Sequence, residues 1–258
     1  RPPGYIAGGK VVFKGVDLLG LGEEELRRLR WKEISYIPQG SMNSLNPVLR
    51  VEEQMIDAIT SHTDMPKEDA EEVVLSSLKE VGLPIEVARM YPHELSGGMK
   101  QRVIIAMATL LKPSFVVADE PVTALDVVVQ RSVLQSIASL KDRYGMTVVF
   151  VAHDLAAHAE IVDRIAIMYA GKIAEIGSVY EVFLDPLHPY SKLLVAAIPS
   201  LEKKVVKGIP GLPPSPLNWP SGCRFHPRCP KAMPVCPRER PPFREVSPGR
   251  YIACHLYT

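Results

Sequence analysis

An α/β domain with a mostly parallel sheet, followed by an irregular proline- and cysteine-rich tail, is the architecture this sequence predicts. Three observations carry that prediction. Through about Leu184, helical patterns alternate with short apolar runs, the sequence form of βα units. Two of the runs, Phe115–Ala118 and Thr147–Val151, end in polar residues, as buried strands of an open sheet do on the edge that binds ligands. The composition then changes near Asp185. Of the 24 prolines, 15 fall between Pro186 and Pro248, and all four cysteines follow Gly222. Residues 1–184 and 185–258 are the expected regions.

The elements follow in order. Pro66 sits at a helix start, and Val74, Leu75, Leu78 and Val81 repeat at helical spacing up to Gly82, a C-terminal stop. Ser96 is a good N-cap for an apolar helix running to Leu111. The strand from Phe115 ends in Asp119-Glu120-Pro121, and the strand from Thr147 ends in Ala152-His153-Asp154. Asp119, Glu120 and His153 are therefore expected in one crevice. Arg164–Tyr169, Ala170-Gly171-Lys172 and Ile173–Ile176 read as a β-hairpin with Gly171 in the turn. No internal repeat is present.

Composition excludes several function classes. At 258 residues and 47% hydrophobic, the chain can bury a sizeable core. With 30 Lys and Arg against 29 Asp and Glu, the net charge of +1 offers no long-range attraction to a polyanion, so no nucleic-acid partner is expected. The longest apolar stretch, Val103–Leu111, is about half of what a bilayer-spanning helix needs. The start, RPPGYIAGGK, has neither an initiator Met nor the pattern of a secretory signal, and is expected to be processed or the beginning of a fragment.

An apolar strand ending in Asp-Glu is what a nucleotide hydrolase requires. One carboxylate, Asp119, would hold Mg²⁺ through water, and the second, Glu120, would polarise the attacking water. A strand that simply ends in a solvated acidic turn reads the same way on these residues alone. The run Leu95-Ser96-Gly97-Gly98-Met99-Lys100-Gln101-Arg102 adds a helix start with two glycines in its first turn. Free backbone N–H groups and the positive end of the helix dipole make that start an anion site, most naturally for phosphate. A bland helix start explains Ser96 but gives no reason for the paired glycines, each costing about 1 kcal/mol inside a helix.

LSGGMKQR, then FVVADEP about twenty residues on, then ALD, then VAHD resembles the ATP-binding subunit of ABC transporters. The resemblance implies an ABC-type nucleotide-binding fold, a RecA-like core carrying a helical subdomain at about 45–95 that docks on transmembrane permease subunits. It implies that the LSGGMKQR run (Ser96, Gly97, Gly98, Gln101) contacts the γ-phosphate of ATP held mainly by a second ATPase subunit, identical or paralogous, in a head-to-tail sandwich. Asp119 matches the Walker B aspartate, Glu120 the general base, Ala124-Leu125-Asp126 the D-loop, His153 the switch histidine and Gln39 the Q-loop glutamine. Val122 departs from the nearest relatives, which carry Thr there; little consequence is expected.

No GxxxxGK[ST] phosphate loop occurs in the chain. In the family that loop lies upstream of the segment matching Gly15-Val16-Asp17-Leu18-Leu19. The chain is therefore expected to lack its N-terminal strands and P-loop, on the order of 50 to 60 residues. A fragment of that kind would bind ATP poorly, hydrolyse it negligibly and carry an unpaired sheet edge. A degenerate paralogue without the loop, or a non-catalytic metal-binding scaffold, is the alternative.

The tail runs His188-Pro189-Tyr190-Ser191-Lys192-Leu193-Leu194, then Gly211-Leu212-Pro213-Pro214, then Gly222-Cys223-Arg224-Phe225-His226-Pro227-Arg228-Cys229. It resembles the C-terminal extension of ABC ATPases serving oligopeptide, dipeptide and nickel importers. That resemblance implies a peripheral subunit on the cytoplasmic face of the membrane, linked indirectly to an extracytoplasmic substrate-binding protein. Cys223, Cys229, Cys236 and Cys254, spaced C-x5-C-x6-C-x17-C, lack the C-x2-C knuckles of common zinc sites. Metal ligation accounts for them better than disulfides in a reducing compartment. Four thiolates suit tetrahedral Zn²⁺ or a [4Fe-4S] cluster, and seven Arg and Lys against two acidic residues from Ser221 onward would offset their charge. The resemblance favours the [4Fe-4S] cluster, with zinc or free thiols as alternatives.

Overall fold

The computed structural model describes residues 4–40, 43–123, 125–198 and 208–258. They form two compact units that divide between His153 and Asp154.

The first unit opens with a two-stranded hairpin, β1 (Val12–Phe13) and β2 (Val16–Asp17). Lys14 (φ 46°) and Gly15 (φ 82°) form its turn, the positive-φ pair that matches strand twist in two-residue loops. Helix α1 (Glu23–Leu29) precedes β3 (Ile34–Ile37). Three helices follow: α2 (Val51–Thr60), α3 (Lys67–Glu80) and α4 (Gly97–Thr109). Strand β4 (Phe115–Asp119), helix α5 (Val127–Tyr144) and strand β5 (Thr147–Val151) complete the unit.

The sheet order is β3-β4-β5, all parallel, with Ile37 opposite Ala118 and Asp119 opposite Val151. Parallel neighbours need a crossover; the α2–α4 segment supplies one and α5 the other. Helix α3 forms where its spacing predicts. Val74, Leu78 and Val81 are buried, and Gly82 at φ 71° ends the helix. Strands β3 and β5 lie at the two edges of this sheet, and Val149 and Val151 of β5 remain 43% and 44% exposed.

The second unit begins with α6 (Leu155–Ile161). The hairpin β6 (Arg164–Tyr169) and β7 (Lys172–Ser178) has Ala170 and Gly171, both at positive φ, as its turn. Then come α7 (Val179–Leu184), α8 (Pro189–Ala196), β8 (Arg244–Ser247) and β9 (Arg250–Ile252). The sheet order is β6-β7-β9-β8. Leu155, Ile165, Ile167 and Val182 form a core on which Leu194 and Val195 of α8 pack.

The tail is therefore more ordered than its composition suggests. Proline cannot donate to a ladder, but the proline-free stretches 244–247 and 250–252 pair, and Glu175 of β7 stands opposite Ile252 of β9. Tail and hairpin share one sheet, so Asp185 marks a change of composition, whereas the compact units part at Asp154.

A buried ion pair holds this junction. Glu175 is fully buried; its carboxylate accepts from the Leu187 and His188 backbone N–H groups at 2.9 Å and lies 3.3 Å from Arg250 Nη2. Glu175→Ala should destabilise the second unit by about 3–5 kcal/mol in denaturant unfolding, because it leaves two backbone N–H groups without their acceptor and Arg250 with only the exposed Asp185 carboxylate, at 3.6 Å, as a counter-ion. Replacing both residues with apolar groups should recover only part of that loss, because the Leu187 and His188 N–H groups remain without their acceptor.

Candidate functional site

The parallel register brings the C-terminal ends of β3, β4 and β5 level, and the expected residues meet there. Glu120 follows β4 and its N–H donates to Val151 O at 2.8 Å. Its backbone is left-handed, φ 49°, a conformation that costs a non-glycine residue about 1–3 kcal/mol and clusters at functional sites. Three side chains hold its carboxylate. His153 Nε2 lies 2.5 Å from Oε1, while Gln39 Nε2 and Thr123 Oγ1 donate to Oε2 at 2.9 and 3.0 Å. The Glu120 side chain is only 10% exposed and that of His153 86%, so the histidine offers an outer surface above a fixed carboxylate.

Asp119 has one partner that sequence reasoning missed. Tyr36, at the end of β3, donates its hydroxyl to Asp119 Oδ2 at 3.0 Å. That hydrogen bond, with a smaller contribution from burial, raises the Tyr36 pKa, so the phenol stays a donor. The two residues are 83 apart in sequence, and nothing local signals their pairing. Thr123 was missed as well. The expectation about a Thr fell on Val122, which is buried at 7% exposure, while its neighbour supplies the hydroxyl.

The glycine-bearing helix start is exposed at Ser96, whose Oγ accepts from Met99 N at 3.3 Å as the N-cap of α4. Gly98 has a structural reason that sequence reading did not supply. A Cβ there would lie 2.5 Å from Val129 Cγ1, so its missing side chain lets α4 touch the first turn of α5. Asp126 caps that turn, accepting from Val129 N at 3.0 Å. Ser96, Gly97, Gly98 and Asp126 thus belong to two helix starts in contact. Ala124 of the same expected loop lies outside the described residues. Gln101, expected to contact phosphate, is 3% exposed, on the same helix as the buried Val103 and Ile104. Arg102 does more than its position suggested, its guanidinium donating to Gly82 O at 3.3 Å and Ser132 Oγ at 2.7 Å.

The segment Gly4–Lys10 has G-x4-G-K spacing, but Val11 replaces the Ser or Thr and the chain continues into strand β1. A phosphate loop must open a helix to present its N–H groups; this one does not.

The four cysteines line one cavity of about 10 Å³ together with His226 and His255. Gly222, at φ 61°, lies tight against the Cys236 backbone, where a Cβ would meet Cys236 O at 2.2 Å. Burial raises the thiol pKa values of Cys223 and Cys229 and pushes that of Cys254 up to about 11. Among the described residues, no three His, Cys, Asp or Glu side chains are grouped so as to hold a metal ion. The expected metal centre is thus represented only by convergence of the four thiols on one cavity. No helix among them is long and apolar enough to cross a membrane.

A carboxylate pair at the edge of a parallel sheet, with a histidine and a glutamine on the second carboxylate, defines a nucleotide-hydrolase class of site. The family pattern described as ABC transporter matches residues 4–123, and that described as oligopeptide/dipeptide transporter, C-terminal region, matches 174–236. The dipeptide transport ATP-binding protein DppD of Caldanaerobacter subterraneus is 44% identical over 99% of this chain and 80% of its own. The oligopeptide transport ATP-binding protein OppD of Escherichia coli is 45% identical over 96% and 74%. The solved structure of MJ0796, a bacterial ABC transporter cassette, superposes with a TM-score of 0.60 at 29% identity, covering 67% of this chain and 74% of that one. The chain belongs to the ATP-binding (ATPase) subunits of the ABC transporter family and carries the C-terminal region of its oligopeptide/dipeptide branch.

Gly98→Ala tests the helix contact. Alanine gains about 1 kcal/mol in a helix, yet overpacking against Val129 should cost about 1–3 kcal/mol, a net loss in denaturant melts that Val129→Ala relieves. A glycine kept only for ligand approach would give no such loss.

Proposed function

We propose that this chain belongs to a subunit that hydrolyses ATP to drive import of oligopeptides or dipeptides, or of nickel, through an ABC transporter, and that without a phosphate loop it is inactive alone. The observation that carries the reading is Glu120 held by His153, Gln39 and Thr123 beside Asp119. The dipeptide and oligopeptide transport for which DppD and OppD are named supports the peptide substrate class. ATP would lie between this subunit and a second ATPase subunit, identical or paralogous, with the Ser96 helix start of one facing the nucleotide of the other; the dimeric MJ0796 structure bound to ADP and Pi supports a two-subunit assembly. The helical segment at about 45–95 would dock on permease subunits at the cytoplasmic face of the membrane, and an extracytoplasmic binding protein would deliver the substrate.

In the reaction, water oxygen bonds to the γ-phosphorus, the bond to the β-bridging oxygen breaks, ADP leaves, and the water proton passes to Glu120. His153 orients that carboxylate and reaches outward toward the γ-phosphate. Asp119 would hold Mg²⁺ through water; a hard carboxylate fits the ion, which supplies charge neutralisation. The near-miss at Gly4–Lys10 leaves the β- and γ-phosphates without a cradle in these 258 residues, so the chain alone should bind a labelled ATP analogue weakly; low-micromolar affinity would contradict this. The same near-miss favours the second reading, a non-catalytic paralogue or scaffold. Glu120→Gln, made in protein that also carries a phosphate loop, separates the two: ATP binding should persist while turnover falls about 10²–10⁴-fold, and unchanged turnover would remove Glu120 from its role.

The cysteine cavity is proposed to hold a [4Fe-4S] cluster rather than zinc. Four thiols around one cavity suit the donor set of either. The tail's resemblance to the C-terminal region of peptide importers favours the cluster. Anaerobically purified protein should show broad visible absorption with about four irons per chain; colourless protein with stoichiometric zinc would end this reading.

A further inference from the structure

A second cavity in the C-terminal unit, of about 220 Å³, shares His188, Cys223 and Phe225 with the cysteine cavity but has no part in the ATP chemistry. Its walls include the aromatic rings of Tyr169, Phe225 and Phe243 and the cations Lys172, Arg224 and Arg240, with no Asp or Glu among them. The floor is rigid. Phe225 is 2% exposed and meets Tyr169 edge-on at 5.0 Å between ring centroids. Arg224 is fixed too, its guanidinium stacked 4.7 Å over Trp219 and donating to Ala170 O. Phe243 stands at the rim, stacked on Tyr251 at 5.5 Å yet 48% exposed. Lys172 and Arg240 are exposed and make no ion pair among the described residues.

We propose that this cavity binds a small organic carboxylate with an aromatic or branched apolar body. Size and chemistry point the same way. Drug-sized ligands occupy about 300–1,000 Å³, so 220 Å³ suits a molecule of amino-acid dimensions. Aromatic walls reward an apolar body, which inorganic phosphate lacks, while the exposed Lys172 and Arg240 reward an anionic end that Arg can take in a forked pair. The buried His188 on the same wall is held neutral, burial pulling its pKa down to about 4, and adds no charge. The inference stands apart from the ATPase reading: it uses only the second unit, and neither outcome below depends on nucleotide.

The test is calorimetric titration of the 258-residue chain with N-acetyl-L-phenylalanine, its amide and inorganic phosphate. The carboxylate should bind saturably at one site with about millimolar or tighter affinity, and the uncharged amide about tenfold more weakly. Lys172→Gln with Arg240→Gln should weaken the carboxylate by about tenfold while thermal unfolding stays put, since both side chains are exposed and unpaired. Phe243→Ala should weaken carboxylate and amide alike. No saturable binding, equal binding of acid and amide, indifference to the double substitution, or competition by phosphate as effective as by the acid would each overturn the proposal.

Discussion

Level alignment of three parallel strand ends is the constraint on which the first unit's chemistry depends. Strand β4 alone would deliver Asp119 and Glu120 to solvent as an acidic turn. With β3 and β5 registered beside it, Tyr36 reaches Asp119, and Gln39 and His153 reach Glu120. The bond from Glu120 N to Val151 O carries the ladder one residue past β4, and the left-handed backbone at Glu120 aims its carboxylate at three partners rather than one. Local strain is offset by several charge-assisted hydrogen bonds, each worth more than a neutral one.

What could be read from sequence was what sits within a few residues of its own cause. The apolar runs of β4 and β5, the Ser96 cap, the spacing of Val74, Leu78 and Val81 in α3, and the two-residue turn at Ala170-Gly171 each carry their reason locally. Contacts across long separations were illegible. Tyr36 with Asp119, Gly98 against Val129, and Arg102 with Ser132 depend on how elements pack, and a single sequence does not encode that in any short pattern. Gln101 illustrates the same limit, because its place in a motif says nothing about which helix face it occupies. The tail misled differently. Proline content suppresses the expectation of strands, yet two short proline-free stretches were enough to join the hairpin's sheet.

The second unit is organised around charges taken out of water in a region with little apolar core. Glu175 satisfies two backbone N–H groups as well as Arg250, so a single carboxylate ties β7, the start of α8 and β9 together. The cysteines gather beside this frame around their own small cavity. The aromatic cluster of Tyr169, Tyr190 and Phe225 supplies much of the remaining apolar contact, and its Phe225 face lines both that cavity and the larger cationic one.

The bare Cα of Gly98 has a mechanical consequence. With no atom to spare between it and Val129, the two helix beginnings mesh like adjacent gear teeth. The Ser96 cap and the Asp126 cap therefore sit on neighbouring helix starts with no room for a side chain at Gly98 between them.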